Sequence, residues 1–260
     1  MNEIVGILLL IFSVIAGGAI VVFLQNINKS KVIKLLLSLS GGFLIAITFI
    51  HFIPEIYTHG DSKIGYFILI GFLVQLFLEY FSGGIEHGHI HVKHATGAIP
   101  WGLFISLSIH AFIEGIPLEA QFHLGELFDV THTEDVGGIN EHVHHHGERL
   151  EVKGLLLGII LHNIPVAIAL MTLMLASGFN KKKAWVVLFV FSLMGPLGVV
   201  FGHFGAANLL IDLNILMAVV VGMFLHISTT IIFEAAENHR FNAIKLISLL
   251  FGVLLAIISV

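Results

Sequence analysis

The chain has 260 residues, 57% of them hydrophobic and 11% charged, with a formal net charge of −5. Soluble domains carry about 25% charged residues, so most soluble globular folds and disordered chains are excluded; the acidic balance offers no basic face and implies no nucleic-acid partner. Cysteine is absent, which removes disulfides, thiolate metal sites and Cys nucleophiles, yet 17 histidines outnumber the 12 Lys plus Arg. Eight continuously apolar runs follow in chain order: Ile4–Leu24, Val32–Ile53, Ile64–Phe81, Trp101–Phe122, Gly154–Ala176, Ala184–Ala206, Leu209–Phe233 and Ala243–Ser259. A bilayer crossing needs about 20 such residues in a helix. The runs do not alternate, so helices and not barrel strands are expected. The head before the first run carries Glu3 and no Lys or Arg, which argues against a secretion signal.

Orientation follows from the cations. Lys29, Lys31 and Lys34 follow span 1, Lys93 follows span 3, Lys181, Lys182 and Lys183 follow span 5, and Arg240 and Lys245 follow span 7. The opposite side has Lys63, Arg149 and Lys153, with acids such as Asp61, Glu126, Asp129, Glu134, Asp135 and Glu141. The odd-numbered loops are therefore expected in the cytoplasm and both termini outside. The whole of 1–260 reads as a single transmembrane transporter domain. Two His-rich loops interrupt it, one cytoplasmic at about 84–99 and one extracytoplasmic at about 124–152. They hold His87, His89, His91 and His94, and His142, His144, His145 and His146. Such tracts read as metal-handling; a solvated or pH-sensitive loop is the plain alternative.

An internal repeat is visible. Gly41-Gly42-Phe43-Leu44, Thr48, Ile50 and Phe52 line up with Gly222-Met223-Phe224-Leu225, Thr229, Ile231 and Phe233. Spans 2 and 7 run in opposite directions, as in an inverted repeat. Chance similarity of two apolar helices is the competing reading.

Ionisable residues inside a membrane default to function. In span 4, His110 and Glu114 are four apart and share a helix face. In span 5, His162 and Asn163 precede Pro165. Prolines 117, 165 and 196 sit mid-span, and each frees the carbonyl four residues earlier. Freed carbonyls at that depth need a protein or wet lining, which predicts a polar pathway among spans 4, 5 and 6. Two imidazoles and a carboxylate suit a zinc-type dication. His110, Glu114 and His162 are the candidate metal ligands, with Asn163 adding a carbonyl oxygen. A buried His110–Glu114 couple is the bland reading; matching His positions on two kinked helices favour the ligand site. His51, Glu55 and His226 are candidate path-lining groups, while Glu79 and His203 look interfacial. Ser228, Thr229 and Thr230 are expected to bond preceding carbonyls.

His110-Ala111-Phe112-Ile113-Glu114-Gly115, His162-Asn163-Ile164-Pro165 and His51-x-x-Pro54-Glu55 resemble motifs of the ZIP family of divalent-metal transporters. The likeness spans essentially the whole chain. It implies an all-α membrane fold of eight helices in a 3+2+3 arrangement with an inverted repeat. It implies zinc as the transported substrate, moved toward the cytoplasm, with Fe²⁺, Mn²⁺, Co²⁺ or Cd²⁺ as other fits. It also implies a bundle of spans 1, 4, 5 and 6 sliding against spans 2, 3, 7 and 8, and allows a homodimer. The expected location is a bacterial plasma membrane. Three positions depart from the family pattern: Ala111 replaces an Asn, Val166 a Glu and Gly195 an acid. The single-metal site expected here follows from those losses. An intramembrane metal hydrolase is the competing function, but His-Glu-x-x-His is absent. A His-rich metal sensor without transport is another. No phosphate-binding Gly-x-x-x-x-Gly-Lys loop is present, so a secondary transporter or facilitated carrier is expected, not an enzyme.

Overall fold

The computed structural model describes residues 3–23, 28–59, 63–82, 101–131, 148–208, 212–234, 236–237, 240–241 and 243–259. Nearly all of them are helical. The helices are α1 (Glu3–Phe23), α2 (Lys29–Ile47), α3 (Ile53–His59), α4 (Ile64–Ser82), α5 (Trp101–Thr131), α6 (Glu148–Ala176), α7 (Lys181–Ser192), α8 (Met194–Asn208), α9 (Leu213–Glu234) and α10 (Ala243–Ser259). A short antiparallel pair, β1 (Ala236–Glu237) and β2 (Arg240–Phe241), joins α9 to α10. Among the described residues, seven helical stretches are long and apolar enough to cross a membrane. The eighth expected span, α10, is apolar and 17 residues long. At 1.5 Å per residue it reaches about 25 Å, the short end of what spans a bilayer. The protein is an integral membrane protein.

Two of the expected spans are not uniform α-helix. In span 2, a π-helical turn, Thr48–Phe52, joins α2 to α3. Its physical reason is Pro54, which has no N–H and whose ring crowds the carbonyl four residues back. Ile53 N–H instead reaches Thr48 O, a five-residue step that widens the helix. Span 6 breaks at Leu193, between α7 and α8. Pro196 sits in the first turn of α8, where a missing N–H costs little. Pro117 and Pro165, by contrast, lie inside continuous helices.

Helix α5 continues to Thr131, past the span end expected at Phe122, and α6 begins at Glu148. The 31 residues of α5 reach about 46 Å, well beyond the roughly 30 Å hydrocarbon layer. The backbone at both ends of the stretch at 124–152 is therefore helical where a loop was expected. The eight loop histidines lie outside the described residues.

The turn from span 5 to span 6 is tight. Gly178 has φ 88°, a left-handed value that suits glycine. Phe179 N–H bonds Met174 O at 3.1 Å and Gly178 N–H bonds Leu175 O at 3.2 Å, closing the end of α6. Asn180 then caps α7, its side chain accepting from Lys183 N–H at 2.8 Å. Four residues thus reverse the chain and set three lysines beside the turn.

Four helix pairs carry most of the packing: α2 with α10, α4 with α9, α5 with α8, and α1 with α6. Glycines let them approach, as is usual where lipid gives no hydrophobic drive between helices. A Cβ on Gly42 would collide with the Leu249 carbonyl, and one on Gly252 with that of Leu39. The α4–α9 pair does the same through Gly71 against Val219 O and Gly222 against Ile68 O. Between α5 and α8, Gly115, Gly198 and Gly202 meet the carbonyls of Gly195, Phe112 and Ile116. The outer faces carry exposed Leu69, Leu73, Phe77, Ile247, Leu254 and Ile258, an apolar surface for lipid. α6 is the most enclosed of the spans.

A Cβ pressed on a backbone carbonyl cannot rotate away. Gly222→Ala is therefore expected to destabilise the protein by about 1–3 kcal/mol. Gly102→Ala adds a Cβ at an ordinary 3.4 Å from Phe81 O, so helix propensity should leave it neutral or slightly stabilised. Thermal unfolding of the two purified variants in one detergent checks the contrast; equal melting temperatures would contradict it.

Candidate metal centre

His110 follows the start of α5 at Trp101 by nine residues, about 13 Å along the helix axis, which is close to half of a roughly 30 Å hydrocarbon layer. Glu114 follows one turn later on the same face. Its carboxylate Oε1 lies 3.0 Å from His110 Nε2. His162, on α6, brings its ring to 5.8 Å from that of His110, centroid to centroid and nearly perpendicular. The three side chains are 3%, 0% and 1% exposed for His110, Glu114 and His162, so neither water nor lipid solvates them. Asn163, next along α6, is also buried.

These residues meet for reasons visible in the packing. Gly115 and Gly198 let α5 approach α8 closely. Gly17 of α1 meets Ala167 and Ile164 O, fixing α6. Ala167, Ile168, Ala169 and Leu170 are fully buried around the turn after His162.

The electrostatics are unusual. Among the described residues, neither Glu114 oxygen has a hydrogen-bond partner, and the contact with His110 does not have hydrogen-bond geometry. A buried carboxylate left so is expensive unless a cation serves it. The donor set of two imidazoles and a carboxylate is the set a zinc-type dication prefers. Two imidazoles on one tetrahedral zinc hold their centroids about 5 Å apart. The observed 5.8 Å is within a small ring rotation of that. As placed, no group of three or more His, Asp or Glu among the described residues is arranged to hold a metal ion.

The other expected residues sit apart. His51 lies in the π-helical turn, and its Nε2 is 3.7 Å from Glu55 Oε2; both are partly buried. His226 bonds Glu79 of α4 through Nε2 and Oε2, and stacks edge-on to Phe72 at 4.8 Å. Ser228, Thr229 and Thr230 bond the carbonyls of Phe224, Leu225 and His226, as expected.

Glu79 and His203, expected at the interface, each bond to a neighbouring helix. Glu79 lies one turn after Gln75 on α4 and bonds across to α9. His203, half-exposed, bonds the buried Glu119 of α5 at 3.1 Å, so it too joins two helices. Glu119 and Gln75 went unnoticed in the sequence. Gln75 is fully buried, and its Oε1 lies 2.8 Å from His110 Nδ1. The available signal was a lone amide in the otherwise apolar stretch at 67–78. For Glu119 it was a third ionisable group in span 4, two residues after Pro117.

Comparison with curated proteins gave no match. The sequence model of the ZIP zinc transporter family matches residues 147–259, which contain α6 to α10 and hence His162, Asn163, Pro165 and His226. That stretch of the chain is similar to the ZIP zinc transporter family.

Proposed function

We propose that the protein carries zinc across the membrane toward the cytoplasm, with His110, Glu114 and His162 as the mid-membrane ligands and Asn163 as an auxiliary oxygen. The observation that carries this reading is Glu114: a carboxylate 0% exposed, without a hydrogen bond among the described residues, beside two imidazoles. A dication entering there exchanges its water for three fixed donors, and the carboxylate supplies the compensating charge. The neutral imidazoles hold the metal without adding charge. The family match over α6 to α10 supports the cargo. His51 and Glu55, partly exposed at one end of span 2, suit entry or exit; His226, tied to Glu79, lines the neighbouring helices.

A single metal per site follows from what surrounds the ligands. Val166, one turn after His162, is buried and apolar, and Ala111 follows His110 directly. Gly195 gives no side chain, only a backbone that packs on Gly115. One carboxylate leaves a bound dication with a local charge of about +1, which favours release over retention.

The helix pairing supports the 3+2+3 arrangement. Exchanging spans 1 with 6, 2 with 7, 3 with 8 and 4 with 5 turns the α2–α10 pair into the α9–α4 pair. The same exchange turns α1–α6 into α8–α5. Gly42 and Gly252 in one pair answer Gly222 and Gly71 in the other. Gly42 thus answers Gly222, one residue off the register in which Gly41 aligns with it. The arrangement suits a bundle of spans 1, 4, 5 and 6 moving against spans 2, 3, 7 and 8 in one domain, with both termini outside a bacterial plasma membrane.

Zinc uptake into proteoliposomes tests the reading. His110→Ala and Glu114→Ala should each lower uptake at least about tenfold, since even supporting residues of metal sites cost that much. Uptake unchanged in both variants would remove these residues from the site. Crystals soaked in zinc or cadmium should show one mid-membrane anomalous peak; two peaks about 3.5–4 Å apart, a bridged-metal spacing, would end the single-site reading.

A further inference from the structure

We propose that Gln75 is a positioning residue for the metal site: from a neighbouring helix, its side-chain carbonyl holds His110 in the tautomer that presents Nε2 as a ligand. The proposal rests on reading His110 and Glu114 as the metal site.

Gln75 belongs to α4, which packs beside α5 through this bond and through Ser106, whose hydroxyl donates to Leu78 O. Its Oε1 lies 2.8 Å from His110 Nδ1, and both residues are buried. An amide oxygen only accepts. When the ring is neutral, its one proton therefore stays on Nδ1, donating to Gln75. Nε2 then keeps its lone pair, and Nε2 is the atom that faces Glu114 at 3.0 Å.

The opposite tautomer would have a different outcome. A proton on Nε2 would face Glu114 Oε1 at 3.0 Å and leave no lone pair there for a cation. Gln75 thus decides between the two readings of the His110–Glu114 pair. An acceptor bonded to the other ring nitrogen orients a metal-binding imidazole and raises its basicity. Carboxylates and backbone carbonyls often do this work. Here the acceptor is neutral and sits on another span. A neutral partner aligns the ring without adding a second charge to a site that must also release its ion. The amide's presence is itself informative. Between 67 and 78 every other residue of α4 is apolar, and burying an amide without a bond costs about 1–3 kcal/mol.

The experiment uses the full chain in proteoliposomes and in detergent, with zinc alone as the probe. Gln75→Leu is close in shape and removes the acceptor; it should raise the KM for zinc uptake about 10–100-fold. Gln75→Glu keeps an acceptor and should restore KM to within a few-fold of wild type. In ¹⁵N-histidine NMR of the metal-free protein, His110 (identified by its loss in His110→Ala) should show the Nδ1–H tautomer. Gln75→Leu should shift it toward Nε2–H, an effect that loosened packing alone would not direct. A wild-type His110 already in the Nε2–H form overturns the proposal without any variant. So does an unchanged KM in Gln75→Leu where His110→Ala abolishes uptake, and this leaves the site itself standing. Normal uptake by His110→Ala overturns the site reading and the positioning role together.

Discussion

A carboxylate at the centre of a membrane span is the constraint around which this molecule is arranged. Removed from water, an ionised Glu114 needs charge or hydrogen-bond donors close by. Among the described residues its oxygens find no hydrogen bond, and His110 approaches with a nitrogen that Gln75 leaves without a proton when the ring is neutral. On the reading proposed above, a dication would meet that need. That need survives only if lipid and water are both kept out, which places demands on the helices around it.

Those demands are met by backbone contact more than by side-chain bulk. Gly115, Gly198 and Gly202 let α5 and α8 touch along their carbonyls, and Gly17 lets α1 press on α6. Close approach by glycine seals the site without spending volume near the ligands. The same device holds α2 to α10 and α4 to α9. Polar bonds between helices are placed differently. Gln75–His110 and Glu79–His226 both start from one face of α4, four residues apart, and reach α5 and α9. Glu119–His203 joins α5 to α8 nearer one end. Glycine contacts give proximity without direction, whereas these hydrogen bonds fix rotation, and a ligand site needs both.

How much of this was legible depended on the range of the signal. The spans were readable because each is a local run of apolar residues. His110 with Glu114 was readable because four residues on a helix make one face, and His162 because its motif is short. Pro54 was visible, but not that it would widen span 2 into a π-turn at His51. Thirty-five residues separate Gln75 from His110, and no spacing rule links them; only the rotation of α4 against α5 does. Glu79 near the end of an apolar run looked like a membrane-surface acid, because its partner His226 lies 147 residues away. The helix of span 4 runs on past the expected span end for another reason. Acids such as Glu126 and Asp129 mark where apolar sequence stops, yet a helix can continue in water to Thr131.

The histidine excess now separates by the work each ring can do. An imidazole whose tautomer is not fixed binds a cation more weakly than one oriented by a partner. His110 is the opposite case, with one nitrogen bonded by Gln75, the other facing Glu114, and His162 crossing it at a right angle. His226, His203 and His51 lie between these extremes, each beside a carboxylate: Glu79, Glu119 and Glu55. An imidazole already hydrogen-bonded to an acid, as His226 and His203 are, must give up that contact to bind a metal, so it serves better as a strut. His110 differs because its acid faces the same nitrogen that would take the metal, and its support comes from the neutral amide behind it. Imidazole–carboxylate proximity alone therefore does not single out the site proposed for the metal; what distinguishes His110 is the neutral amide bonded to its other nitrogen.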